Sequence, residues 1–127
     1  MSKLIITGGK KLNGEILVEG SKNAVLPILA ATVLNSGISV IKNCPKLRDV
    51  EVALEILKSV GCKIKWEKDV VTVDSSTITE TKIPVDLATE MRSSIIFLGP
   101  MLARCGKVTI SYPGGCVTLL TKYIKFI

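Results

Sequence analysis

Two spacings of apolar residues alternate along the chain, and the switches between them divide it into elements. Residues 3–7 and 15–18 are rich in β-branched and leucine side chains, and Gly8-Gly9, Asn13-Gly14 and Gly20 punctuate them. Both stretches predict short strands. Ser21 is a good N-cap for a helix over residues 22–34, with Pro27 early enough that its missing N–H costs little. Asn35-Ser36-Gly37 ends that helix and residues 38–42 read as a strand. After Cys44-Pro45, apolar Val50, Ala53, Leu54, Leu57 and Val60 recur at helical spacing, predicting a helix over 48–60 that Gly61 closes. Residues 63–67 and 70–74, joined by Lys68-Asp69, predict a hairpin. The third helix is expected over 86–104, capped by Asp86, with Leu87, Met91, Ile95, Leu98 and Leu102 as its apolar face and a kink at Gly99-Pro100. Gly106 stops it, and the strand 107–111 runs into the turn Pro113-Gly114-Gly115-Cys116.

One grammar occurs twice. Leu34-Asn35-Ser36-Gly37-Ile38-Ser39-Val40-Ile41 and Ala103-Arg104-Cys105-Gly106-Lys107-Val108-Thr109-Ile110 are each a helix end, a glycine and an apolar strand, 69 positions apart. The same offset pairs Asn23 with Arg92. A repeated βαβαββ unit accounts for this, giving an α/β fold whose helices need a neighbouring layer to cover them.

Composition narrows the classes. With 47% apolar residues and a mean hydropathy of +0.44, the 127 residues can bury a core, and with 4% aromatics that core must be aliphatic. The net charge of +6 favours an anionic partner in a general way. The lysines, however, are scattered in ones and twos, densest at Lys10-Lys11 and at Lys63, Lys65 and Lys68, without interleaved aromatics, so nucleic acid is not the expected partner. Cys44, Cys62, Cys105 and Cys116 include no Cys-x-x-Cys pair and the chain has no histidine, which argues against a zinc or haem site. No secretory signal pattern opens the sequence, and the apolar stretch 24–34 is too short to span a bilayer; a cytoplasmic protein with reduced thiols and no membrane partner is expected.

The candidate chemistry lies at three places. Cys116 follows a Pro-Gly-Gly turn that can present a thiol, although a cysteine there can equally be a small apolar residue. Lys22 and Asn23 lie at the start of a helix, where an ammonium, an amide and free backbone N–H groups can hold phosphate or carboxylate; alternatively Asn23 only caps the helix and Lys22 is solvated. Arg92 falls in the early turns of the third helix.

Gly20-Ser21-Lys22-Asn23-Ala24, Pro27-Ile28-Leu29, Asn43-Cys44-Pro45-Lys46-Leu47-Arg48-Asp49, Met91-Arg92-Ser93-Ser94 and Pro113-Gly114-Gly115-Cys116 together resemble the N-terminal part of the UDP-N-acetylglucosamine enolpyruvyl transferase (1-carboxyvinyltransferase) family, in the EPSP synthase-like superfamily. The likeness runs nearly unbroken over residues 3–117. It implies an inside-out α/β barrel of two globular domains built from βαβαββ units, here truncated. Residues 1–20 would supply strands to the second domain, 21–117 part of the first, and 118–127 an off-pattern tail.

The resemblance further implies transfer of an enolpyruvyl group from phosphoenolpyruvate to the 3′-hydroxyl of UDP-N-acetylglucosamine, the first committed step of peptidoglycan synthesis, with no cofactor. Cys116 matches the family's proton-donating loop cysteine, Lys22 and Asn23 its phosphoenolpyruvate-contacting pair, and Arg92 a substrate-contacting arginine. After Val117 the family's Gly-x-Arg-Pro-x-Asp stretch is replaced by Thr118-Leu119-Leu120-Thr121-Lys122-Tyr123. The expectations are therefore a gene fragment or frame slip, a chain inactive by itself, and self-association through uncovered apolar surface. The alternative is a small basic module for nucleic acid or a protein partner.

Overall fold

The computed structural model describes residues 2–111 and the backbone of 124–126. Cys116, its Pro-Gly-Gly turn and most of the tail from residue 118 lie outside the described residues.

Strand β1 (Ile38–Ile41), helix α2 (Arg48–Ser59) and strands β2 (Lys63–Glu67) and β3 (Val70–Asp74) follow the expected periods closely. The sheet order is β1-β3-β2, all antiparallel, with Ile41 opposite Val71 and Trp66 opposite the same residue on the other side. Alternation sets its two faces: Val71 and Val73 are fully buried, whereas Ile38, Val40, Lys63 and Lys65 face outward. β1 pairs only with β3 among the described residues, so its other edge carries no strand. Lys68 takes a left-handed backbone (φ 55°) in the hairpin turn, and the Asp69 carbonyl accepts the Cys44 N–H at 2.8 Å, tying the turn to the loop before α2.

Helix α1 (Lys22–Ala31) continues as a short 3-10 turn (Thr32–Leu34) and packs on α2. Ser21 occupies the N-cap with extended dihedrals; its carbonyl accepts from Ala24 and Val25, but its side chain makes no capping bond. Pro27 lies inside α1 without breaking it. Because it has no N–H, the carbonyl of Asn23, four residues back, is released from the helical ladder. Leu29, Val33, Val50, Ile56 and Leu57 are fully buried and fill the space between the helices and the sheet. The buried Ser75, just after β3, locks this layer to the sheet: its hydroxyl lies 2.7 Å from the Thr32 carbonyl and 2.5 Å from that of Asn35, and its N–H donates to Gly37 at 3.1 Å.

The third helix departs from expectation. Helix α3 (Val85–Glu90) stops at Met91, which is extended (φ −112°, ψ 120°), and a 3-10 segment (Arg92–Phe97) leads into α4 (Leu98–Cys105). The break is thus at Met91 and not at Pro100. Pro100 is the third residue of α4, within the first turn, where no N–H is required, so it starts a helix without kinking one. The interruption shifts the helical phase: Ala88, Met91, Phe97 and Met101 are fully buried, while Ile95, expected on the apolar face, is 37% exposed. Ser94 seals the break by donating its N–H to Met91 and its hydroxyl to Ala88, at 3.1 and 2.7 Å. Pro84, not Asp86, is the N-cap; Asp86 sits in the first turn.

Residues 2–20 form no strand. Leu4, Ile5, Ile6, Ile16, Leu17 and Val18 are each 75% exposed or more. Their composition suits a strand, but a strand forms only when a neighbour takes up its N–H and C=O groups, and no described residue does so here. Gly20 ends the segment against backbone: a Cβ there would stand 2.1 Å from the Asn43 carbonyl oxygen and 3.1 Å from Pro45 Cδ.

The internal repeat shows in the order of the elements. Residues 92–105 followed by β4 (Val108–Ile110) repeat the helix-glycine-strand order of α1, Gly37 and β1. β4 bridges Lys82 in parallel, with Ile83 donating to Thr109 and Thr109 to Thr81, both at 2.9 Å, so residues 81–110 close a βαβ unit. On its other side β4 pairs antiparallel with β5 (Ile124–Phe126), within the off-pattern tail. The fold is mixed α/β.

Candidate anion-binding cleft

α1 and the 3-10 segment after Met91 pack side by side and border an open cleft of about 700 Å³. Lys22, Asn23, Leu26 and Pro27 line it from α1, Asp49 from α2, and Glu90, Arg92, Ser93 and Ile96 from the opposite wall. Three of the four site residues read from the sequence, Lys22, Asn23 and Arg92, therefore line one space although they come from opposite walls. The fourth, Cys116, lies outside the described residues.

Each wall has a local cause. With the first helical bonds of α1 accepted by Ser21, the amides of Lys22 and Asn23 stand ahead of the bonded ladder, at the positive end of the helix. On the other side, the break at Met91 buries the methionine and starts a new segment with Arg92 as its first residue. Arg92 had been expected in the early turns of one long helix; it instead opens a 3-10 segment. Among the described residues it has no carboxylate within 4.0 Å.

The cleft is not a plain cationic patch. Lys22 Nζ lies 2.5 Å from Asp49 Oδ2, and Arg48, the neighbouring residue, reaches Glu90 with Nε at 2.8 Å and Nη2 at 2.5 Å. Arg48 also meets Glu51 at 3.2 Å. The hydrogen bonds that its guanidinium donates to Glu90 and then to Glu51 hold it even more firmly charged than usual. Two cations and two carboxylates thus line the space, and α1's leading amides, which have no hydrogen-bond partner among the described residues, tip the balance toward an anion. Sequence reasoning gave Asp49, Glu90 and Ser93 no role. Asp49 stood in the Asn43-to-Asp49 stretch that carried the family likeness, which was the available signal; Glu90 reveals itself only through its contact with Arg48, 42 positions away.

The three described thiols lie away from the cleft lining. Cys44 and Cys62 are buried and Cys105 is half-buried. Burial, followed by the charge of Asp74, pushes the Cys62 thiol up to about 11. Burial and Asp69 push Cys44 in the same direction. Among the described residues no helix is long and apolar enough to cross a membrane.

A repeated helix-strand unit with a cation at each helical start defines a class, and sequence comparison identifies it. The chain belongs to the EPSP synthase (3-phosphoshikimate 1-carboxyvinyltransferase) family, whose profile matches residues 6–118. Within that family the chain is similar to several UDP-N-acetylglucosamine 1-carboxyvinyltransferases. The chain is 50% identical over 116 residues to UDP-N-acetylglucosamine 1-carboxyvinyltransferase 2 of Caldanaerobacter subterraneus subsp. tengcongensis. It is 52% identical over 117 residues to the UDP-N-acetylglucosamine 1-carboxyvinyltransferase of Saccharophagus degradans. Each match covers 91% of this chain and 28% of the relative, so the chain spans little more than a quarter of their length. Among solved structures, the enolpyruvyl transferase NikO from Streptomyces tendae superposes with a TM-score of 0.69 at 27% identity, covering 80% of this chain and 24% of NikO.

Proposed function

We propose that this chain forms one wall of a 1-carboxyvinyl transfer site, the one that receives phosphoenolpyruvate and UDP-N-acetylglucosamine. The observation that carries the reading is the single cleft bordered by Lys22, Asn23 and Arg92. Phosphoenolpyruvate brings a phosphate and a carboxylate. An ammonium with α1's leading amides suits one, and a guanidinium with two parallel N–H donors suits the other.

The chemistry is addition followed by elimination. The sugar 3′-hydroxyl oxygen bonds to C2 of phosphoenolpyruvate while C3 accepts a proton, and the hydroxyl proton passes to a base. C3 then gives up a proton as the C2–O bond to phosphate breaks, which restores the double bond and releases inorganic phosphate. Cys116 is the proposed proton donor to C3, since a neutral thiol carries a proton that it can give up. The reaction is cytoplasmic on this reading, where both substrates reside and thiols stay reduced. Residues 2–20, with their exposed leucines and isoleucines, would pair with a second globular domain. Catalysis of this kind needs groups from two walls in register, so the 127-residue chain is expected to release no phosphate by itself.

A chimaera tests the reading. The matched 116 residues replace their counterpart in the Caldanaerobacter enzyme. Phosphate release from phosphoenolpyruvate and UDP-N-acetylglucosamine is the expected outcome, with Lys22→Ala or Cys116→Ala lowering kcat/KM by about a hundredfold or more. A folded chimaera without transfer, beside an active parent, would refute it.

A further inference from the structure

The two walls of the cleft are held by adjacent residues of opposite charge. Arg48 and Asp49 open α2. Asp49 reaches back to Lys22 on α1, and Arg48 reaches across to Glu90, the last residue of α3 and two positions before Arg92. Between Glu90 and Arg92 lies only Met91, whose extended backbone and full burial fix the direction of the chain. The start of one helix therefore grips both cation-bearing walls.

We propose that Arg48 and Asp49 are positioning residues for the cleft, Asp49 by orienting the Lys22 ammonium and Arg48 by holding Glu90 so that Arg92 faces Lys22. The proposal rests on the anion-binding reading of the cleft. Exposed ion pairs of this kind contribute little to stability, so their value is geometric. Side-chain exposures of 50% for Lys22 and 68% for Arg48 mean that, without its carboxylate partner, each cation is free to sample many rotamers. An ammonium has three donors, so Lys22 can keep one on Asp49 and offer two to an anion.

Charge counting and positioning give opposite signs. Removing Asp49's charge makes the cleft more positive, and on charge alone Asp49→Asn should bind anions more tightly. Positioning requires it to bind them more weakly. The experiment is a titration of the 15N-labelled 127-residue chain with inorganic phosphate and, separately, with phosphoenolpyruvate, following the amides of residues 21–24 and 92–94; amide dispersion verifies folding of every variant. Asp49→Asn is expected to weaken both ligands about fivefold, the equivalent of one ordinary ion pair, and Asp49→Glu to restore most of the loss. Arg48→Glu and Glu90→Arg are each expected to weaken binding, and the double exchange to recover it, which a merely structural role would not produce. Unchanged or tighter binding in Asp49→Asn, or a double exchange no better than its single changes, overturns the inference while leaving the cleft reading intact. No saturable binding by the wild-type chain overturns both.

Discussion

Replacing Gly20 by alanine is expected to damage both stability and anion binding, because the methyl group has nowhere to go. Its carbon would stand 2.1 Å from the Asn43 carbonyl oxygen, and Cβ contacts below 3.0 Å are essentially never seen, so the two backbone segments must part by about 1 Å. Neither side yields easily. Asn43 is held in a left-handed conformation (φ 55°), and Cys44, next to it, is buried and bonded to Asp69. The movement is passed instead to Ser21 and Lys22, the start of α1. Overpacking of this kind costs about 2 kcal/mol, which in a domain of this size lowers Tm by roughly 10 °C. A displacement near 1 Å at a binding group can lower activity about a hundredfold where geometry is critical, so weaker phosphate binding should accompany the thermal loss. Gly8 provides the matched control. It lies in the same segment with nothing within 4 Å of a built Cβ, so Gly8→Ala should leave both readouts unchanged. Calorimetry and the phosphate titration applied to the two variants decide the matter. A Gly20→Ala protein with wild-type Tm and affinity would show that the close approach does not position α1.

Two further outcomes follow from buried groups. Ser75→Ala removes a fully buried hydroxyl that serves the Thr32 and Asn35 carbonyls, and is expected to cost about 2 kcal/mol by chemical denaturation; the exposed Ser76→Ala should cost less than about 0.5, and equal losses would refute the distinction. Cys62, with its thiol pushed from 9.0 to about 11, should be about 0.1% thiolate at pH 8, and iodoacetamide should modify it far more slowly in the folded than in the unfolded chain. Because the folded state holds that proton more tightly, its contribution to stability is complete below pH 9 and is lost as pH rises from about 9 to about 11. A flat stability profile over that interval would count against the assignment.

Local signals were readable where the local answer was also the global one. The hairpin of β2 and β3 and the extent of α2 follow from alternation, helical spacing and a closing Gly61, because those faces meet the core directly. The third helix misled because a continuous apolar stripe cannot reveal that Met91 turns inward and resets the phase. The strands expected in residues 2–20 misled for the opposite reason: composition states a capacity for pairing, and the partner must come from elsewhere. Lys22, Asn23 and Arg92 were singled out because each carries a chemistry that suits an anion, and they line one cleft. Asp49 and Glu90 could not be assigned so easily, since a carboxylate beside an anion site makes sense only after its cation is located. The role of Cys116 rests on the family likeness.

The rims of the three-stranded sheet differ in a way that bears on how copies of this molecule would meet. Along β2 the outward positions are Lys63, Lys65 and Glu67, gatekeepers that an approaching chain would have to strip of water. Along β1 they are Ile38 and Val40, 65% and 57% exposed, beside a row of main-chain donors and acceptors that no strand among the described residues claims. Accretion at high concentration would therefore start from the hydrocarbon rim, and a lysine introduced at Val40 is the smallest change that would make both margins equally inhospitable.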